Sequence, residues 1–175
     1  MEETKILSPQ LKGLIIALIV IVFGLIGYYT NIAFEGNGWY SWVVNGIALI
    51  AIIIACVHYA NQMEGAVTFG KVFMHGFKAT LVMTIILLVY TLIAFKFLFP
   101  DMQEKIFDMQ RAAMEKKEMP EDQIDTAMGM IRRYFMVGLI FGLIIGNLIW
   151  GCIGSLLGAA FAKKNRINPL DQLPS

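Results

Sequence analysis

Four stretches of this chain carry no Asp, Glu, Lys or Arg: Gly13 to Phe34, Gly36 to Met63, Ala79 to Phe95 and Tyr134 to Ala162. A helix needs about 20 predominantly apolar residues to cross a bilayer core, so each run is a candidate span. Backbone polar groups cannot be left bare in lipid, and helices satisfy them within the segment. The composition agrees: 58% of residues are hydrophobic, 15% are charged, and the mean hydropathy is +0.67. A soluble enzyme, a nucleic-acid binder or a disulfide-stapled secreted domain has no such profile. With a formal net charge of +1, the chain makes no electrostatic appeal to nucleic acid.

These runs predict an all-α membrane protein formed by one domain over residues 1–175, with spans at about 13–34, 39–60, 79–99 and 135–161. The spans pair into two hairpins. Gly36, Asn37 and Gly38 supply a tight reversal after span one. Trp39, Tyr40 and Trp42 at one end of span two, and His58 and Tyr59 at the other, mark two interfaces. The first apolar run is too long for a signal h-region and lacks a small-residue cleavage site, so it is expected to stay as an anchor. Lysines and arginines divide evenly between the two sides. The first hairpin breaks the tie, with Lys5 and Lys12 before span one and no basic residue after it. Both termini are therefore expected in the cytoplasm.

The segment between spans three and four reads as an amphipathic helical hairpin over residues 101–134. Asp101 is placed to cap its first helix, along which Met102, Ile106, Met109 and Ala113 form an apolar stripe. Pro120 opens the second, where Ile124, Met128, Ile131 and Phe135 carry the stripe straight into span four. Packed against each other, the two helices leave Glu115, Glu118, Glu121, Asp122 and Asp125 around the turn. That acidic face either meets a basic partner surface or is simply solvated.

Span four holds the densest pattern. Gly138, Gly142 and Gly146 recur every four residues, followed by Gly151, Gly154, Ser155 and Gly158. Small residues let helix backbones approach in lipid, where association depends on close packing. A four-residue spacing drifts by about 40° per repeat around the helix, so two contact patches are expected rather than one. The plainer expectation is that both pack internally; the alternative gives one to an oligomer or a partner.

Ionisable groups inside a membrane are costly and hence functional suspects. Lys96, near the end of span three, is the one candidate, and it lies close enough to the surface to snorkel. Asn45 and Asn147 are the main amides within the spans and are expected to hydrogen-bond between helices. No embedded carboxylate suggests ion-coupled transport. His58, His75, Cys56 and Glu64 lack the close spacing of a zinc site, and Cys56 and Cys152 read as small hydrophobes rather than a disulfide. No catalytic constellation, cofactor motif or metal signature is present, so no enzymatic activity is expected.

After span two, Thr68 is placed to cap a helix on which Phe69, Phe73 and Phe77 share one face and Lys71, His75 and Lys78 another. Such a segment suits a membrane interface, with the cations toward anionic lipid. It also reads, more plainly, as the first turns of span three.

The run from Glu64 through Gly65-Ala66-Val67-Thr68-Phe69-Gly70-Lys71-Val72 to Phe73, then Gly76-Phe77-Lys78, is more particular than a generic loop. Taken with Phe99-Pro100-Asp101, Gln110-Arg111, Met119-Pro120-Glu121 and Gly151-Cys152-Ile153-Gly154-Ser155-Leu156-Leu157-Gly158-Ala159-Ala160 before Lys163-Lys164-Asn165, it resembles the domain-of-unknown-function 4199 family. Those proteins are small four-span membrane proteins of Bacteroidota. The resemblance covers about residues 10 to 168 and implies an inner-membrane address with no assigned activity. Met119 stands where many relatives carry a serine, which removes the usual cap of the second loop helix. The function expected on these grounds is that of an accessory or scaffolding subunit, packing in the bilayer with itself or with a larger membrane partner. A small oligomeric channel or transporter is the alternative.

Overall fold

The computed structural model describes residues 7–35 and 38–163. It contains five α-helices and, among the described residues, no strand: α1 (Pro9–Tyr29), α2 (Trp39–Gln62), α3 (Phe69–Ile93), α4 (Met102–Glu115) and α5 (Glu121–Phe161). A short 3-10 turn at Ile32–Phe34 follows α1, and a π-helical turn at Ala94–Leu98 extends α3. Four of these segments are long and apolar enough to cross a membrane: Pro9–Tyr29, Trp39–Gln62, Phe69–Leu98 and Glu121–Phe161.

Local chemistry sets the helix ends. Ser8 accepts a hydrogen bond from the Leu11 amide at 3.3 Å, and Pro9 takes the first helical position, where its missing N–H costs nothing. Span one therefore starts four residues before Gly13 and carries Lys12 inside its first turns. It stops at Tyr29 rather than Phe34, because Thr30 turns its hydroxyl onto the Ile26 carbonyl (2.7 Å) and Asn31 adopts φ 59°. Of the expected reversal, Gly36 and Asn37 lie outside the described residues; Gly38, at φ 60°, precedes α2 in a conformation that suits a residue without a Cβ. The cap at Thr68 forms as expected, its hydroxyl accepting from the Lys71 amide at 3.4 Å. The segment after it is the start of α3, one continuous helix. Asp101 does not cap α4; its carboxylate is engaged elsewhere. Pro120 sits one position earlier than expected, outside α5.

Sequential spans run in opposite directions; α3 and α5, the pair expected as the second hairpin, pack most extensively, whereas α1, expected to pair with α2, packs more on α3. α3 is central. It packs extensively on α1 and α5 and also touches α2, while α2 packs more on α5 than on α1. Since α1 and α3 both lead away from the end of the bundle where α1 starts, the α1/α3 pair is parallel, as is α2/α5. Gly13 explains the first pair: a Cβ there would stand 2.5 Å from the Ala79 carbonyl oxygen and 2.9 Å from Val82 Cβ. The core contains Ile16, Ala17, Ile52, Cys56, Val72, Met83 and Ala159, all nearly fully enclosed. Leu18, Val22, Ile50, Ile54 and Ile85 point outward and exposed, as lipid-facing residues do.

Beyond the bundle, α4 folds back on the first turns of α5, which run without a break into the membrane. At 1.5 Å per residue this helix is roughly 60 Å long, about twice a bilayer core. Phe107, Ile124 and Met128 are buried between the two helices, with Met114, Met119, Ile131 and Phe135 around them. The expected α4 stripe is rotated: Ala113 is exposed and Phe107 takes the centre. A phenyl ring has far more apolar area to hide than an alanine methyl, so the helix turns to bury it.

Arg132 of α5 pairs with Glu104 of α4 at 3.5 Å, and two further polar clusters hold the hairpin at its turn and at its base. Arg111 reaches Glu115 (3.1 Å), Asp125 (3.2 Å) and Glu121 (3.3 Å), closing the turn. At the base, the Tyr28 hydroxyl at the end of α1 donates to Asp101 at 2.6 Å. Lys105 pairs with Asp101 at 3.2 Å and donates to the Asn31 side chain at 3.4 Å. The Lys105 ammonium also lies over the rings of Tyr28 (4.6 Å) and Phe34 (5.3 Å).

Candidate functional site

The small residues of α5 separate into two patches with different surroundings. A Cβ on Gly151 would run into the Thr80 side chain. On Gly154 it would sit 3.1 Å from Ile52 Cγ2, and on Gly158 2.5 Å from Cys56 Cβ. Ser155 is fully buried beside Gly76, where a Cβ would meet both Cys56 Sγ and Ser155 Oγ. This half of α5 is pressed against α2 and α3 through positions that tolerate nothing larger. Gly138, Gly142 and Gly146 are different: among the described residues a Cβ on any of them would find nothing within 4 Å. The expectation that both patches pack internally is therefore corrected for the first.

The drift of the glycine stripe is the physical reason. Following α5 away from Gly151, the stripe turns away from α2 and α3 toward the outside, where Phe141, Ile145 and Ile149 are also exposed. Only 6% of the most apolar window of α5 is buried, against 28% in each of the other three spans. The membrane half of α5 nearest the α4 hairpin is thus the least covered segment of the bundle.

The intramembrane polar residues divide as well. Lys96 is exposed, with its ammonium 5.4 Å from the centre of the Phe97 ring. Asn45 and Asn147 are half-buried. Contacts fix their level: Gly151 faces Thr80, so Asn147, one turn away, lies level with Thr84 on the next turn of α3. Gly154 faces Leu49 and Ile52, which brings Asn45 near the same height. Thr84 is 5% exposed, and its hydroxyl oxygen has no hydrogen-bond partner among the described residues. No interhelical hydrogen bond links Asn45, Thr84 and Asn147 among these residues, contrary to the bond expected of the two amides.

At the opposite end of the bundle, where α1 begins, lies a polar cluster that sequence reasoning passed over. Lys12 is 5% exposed. Its ammonium donates to the Ala55 carbonyl of α2 at 3.1 Å and sits 5.7 Å from the Tyr59 ring centre. Tyr59 stacks on His75 of α3, with centroids 4.0 Å apart and planes 10° from parallel. Cys56 lies against the Val72 carbonyl at 3.8 Å, and the Thr80 hydroxyl donates to the Gly76 carbonyl at 3.1 Å. His75 Nε2 and Ser155 Oγ have no hydrogen-bond partner among the described residues. The signal that would have found Lys12 was Ser8-Pro9, a cap followed by a first-turn proline, which starts the helix before the charge rather than after it.

This burial also reshapes the interfacial reading. Lys71 and Lys78 are exposed, Phe69 is exposed, and Phe73 and Phe77 stack at 5.8 Å, half-buried. His75 is buried under Tyr59, and together with Tyr59, Met74, Lys71 and Lys78 it lines a pocket of about 220 Å³. In the α4/α5 turn, Glu115, Glu121 and Asp125 neutralise Arg111, while Glu118, at φ 54°, and Asp122 are exposed and make no ion pair among the described residues. Both cysteines are free. No three His, Cys, Asp or Glu side chains gather as metal ligands among the described residues.

Neither the curated proteins nor the solved structures include a match to this chain. One family model does match, over residues 12–164, and its span runs from the buried lysine through every helix of the bundle to the end of the packed glycine patch. The chain belongs to the family described as protein of unknown function (DUF4199).

Proposed function

We propose that this chain is a non-enzymatic accessory or scaffolding subunit of the bacterial inner membrane, with both termini cytoplasmic. It docks through the exposed half of α5 to a second copy or to a larger membrane partner. One observation carries the reading: Gly138, Gly142 and Gly146 present a stretch of bare backbone that nothing among the described residues covers. Glycine in a helix interior is about 1 kcal/mol less favourable than alanine, so three at this spacing want a compensating close contact. The acidic turn with Glu118 and Asp122 stands at the head of the same helix and extends the docking face beyond the bilayer.

Leucine at Gly142, or at Gly138 and Gly142 together, tests this. Native mass in mild detergent is expected to fall, through loss of an oligomer or a co-purifying partner, with thermal stability unchanged. Native mass equal to that of the wild type in both variants would refute the docking face.

A second reading, a small oligomeric channel or transporter, draws on the level shared by Asn45, Thr84 and Asn147. It ranks below the first because Lys96 is exposed and apart from that level, and the three polar side chains come with no embedded carboxylate. Ion flux through reconstituted vesicles that Asn147→Leu abolishes would reverse the order.

A further inference from the structure

Between α1 and α2, at the end where the chain enters the bundle, runs a groove of about 260 Å³. Ile15, Ile16, Ile19, Ala51 and Ile54 wall it, and Lys12 and His58 stand at its polar end. Ile15 and Ile54 are exposed, so the groove opens sideways toward lipid. Lys12 is the anomaly. A lysine near a helix end ordinarily snorkels to water, but this ammonium turns across the groove to Ala55, seven residues inside α2 and so roughly 10 Å below its end. Among the described residues one of its three donors is used, on a carbonyl, and the Tyr59 ring centre lies 5.7 Å away. No carboxylate pairs with it among the described residues, and a cation held at that depth without a counter-charge is costly.

A ligand that suits both features has an anionic head and an apolar tail. We infer that the α1/α2 groove binds an anionic glycerophospholipid, its phosphate against Lys12 and one acyl chain along Ile15, Ile19 and Ile54. His58, exposed at the same end, is placed to face the headgroup. The polarity runs the right way: the charged end of the groove lies toward the bundle end and the isoleucines lie deeper. The lysines on the start of α3, Lys71 and Lys78, line a different pocket of about 220 Å³ with Tyr59, Met74 and His75, which has no wall of isoleucines.

Native mass spectrometry of the full-length protein, equilibrated with equal phosphatidylglycerol and phosphatidylcholine, reads the site directly. The wild type is expected to retain phosphatidylglycerol preferentially, and Lys12→Met to lower that preference about fivefold, as loss of one cation near an anionic headgroup implies. Lys12→Arg keeps it. Because Lys12→Met also removes the bond to Ala55, Ala51→Phe is the second variant: it fills the groove, leaves the ammonium in place, and is expected to lower the retained lipid equally. Equal retention of both lipids by the wild type would overturn the inference. So would a wild-type preference in Lys12→Met, wild-type retention of phosphatidylglycerol in Ala51→Phe, or a preference lost only in Lys71→Gln/Lys78→Gln.

Discussion

Replacing Gly76 with alanine adds one methyl group at the point where α2, α3 and α5 meet. That methyl would collide with Cys56 Sγ and stand 2.8 Å from Ser155 Oγ and 3.2 Å from its Cβ. Cys56 is fully enclosed, as is Ser155, so neither side chain has free space to rotate into. Overpacking of a filled core costs typically 1–3 kcal/mol. For a chain of this size that corresponds to a fall in thermal midpoint of roughly 2–12 °C. Gly142→Ala is the matched control: the same atom added to a helical glycine with open space around it. Its better helix propensity makes a neutral or slightly stabilising effect the expectation. Tryptophan fluorescence during thermal unfolding in detergent measures both. A double variant with Cys56→Ala removes the nearest colliding atom and is expected to recover at least 1 kcal/mol of the loss as coupling. If Gly76→Ala unfolds within a degree of the wild type, or Gly142→Ala falls as far, the division of glycines into packed and open sets is wrong.

The base of the outer hairpin is expected to respond to pH through Asp101. The hydrogen bond from Tyr28, and then that from Lys105, holds this carboxyl below the usual carboxylate range. A depressed native pKa contributes stability above the unfolded value that is lost as pH falls through the folded one, so the protection of α4 amides relative to their intrinsic exchange rates should fall in acid, and Asp101→Asn should flatten that dependence. Phe107→Ala empties the centre of the hairpin at a cost of about 3–5 kcal/mol; proteolysis should then cut between residues 102 and 120 while the spans stay protected. Cysteines introduced at Asn61 and Lys117 should be labelled from opposite sides of the membrane, and labelling from one side would refute the four-span topology.

Much of the architecture was legible because lipid imposes a coarse rule on sequence. Uncharged runs of span length, the Thr68 cap and the stripe from Ile124 to Phe135 were each enough to place a helix. What escaped depended on competition between groups. Treating Lys12 as a boundary marker hid its burial, since charge patterning alone cannot show that a neighbouring helix offers a carbonyl and an aromatic ring. Asp101 had the residue type and position of a cap, but a tyrosine seventy-three residues earlier in the chain claims it. Phe107 lay one step off the stripe chosen by spacing, and its ring area decided the rotation of α4. The pairing of α1 with α3 and of α2 with α5 rests on Gly13, Gly154 and Gly158 meeting particular partners, and no periodicity within one helix encodes the partner. The glycine drift along α5 separates Gly151, Gly154 and Gly158, packed on α2 and α3, from Gly138, Gly142 and Gly146, which meet nothing among the described residues; which set packs required the positions of Thr80, Ile52 and Cys56.

The central claim is that the open half of α5 is a docking surface, and photo-crosslinking in native membranes tests it most directly. Crosslinkers at Phe141 and Ile145, on the open face, are compared with one at Leu18, exposed on α1. The account predicts reproducible adducts to a single protein species, either another copy of the chain or one partner, from Phe141 and Ile145 and only lipid adducts from Leu18. Lipid adducts alone at all three positions would contradict it.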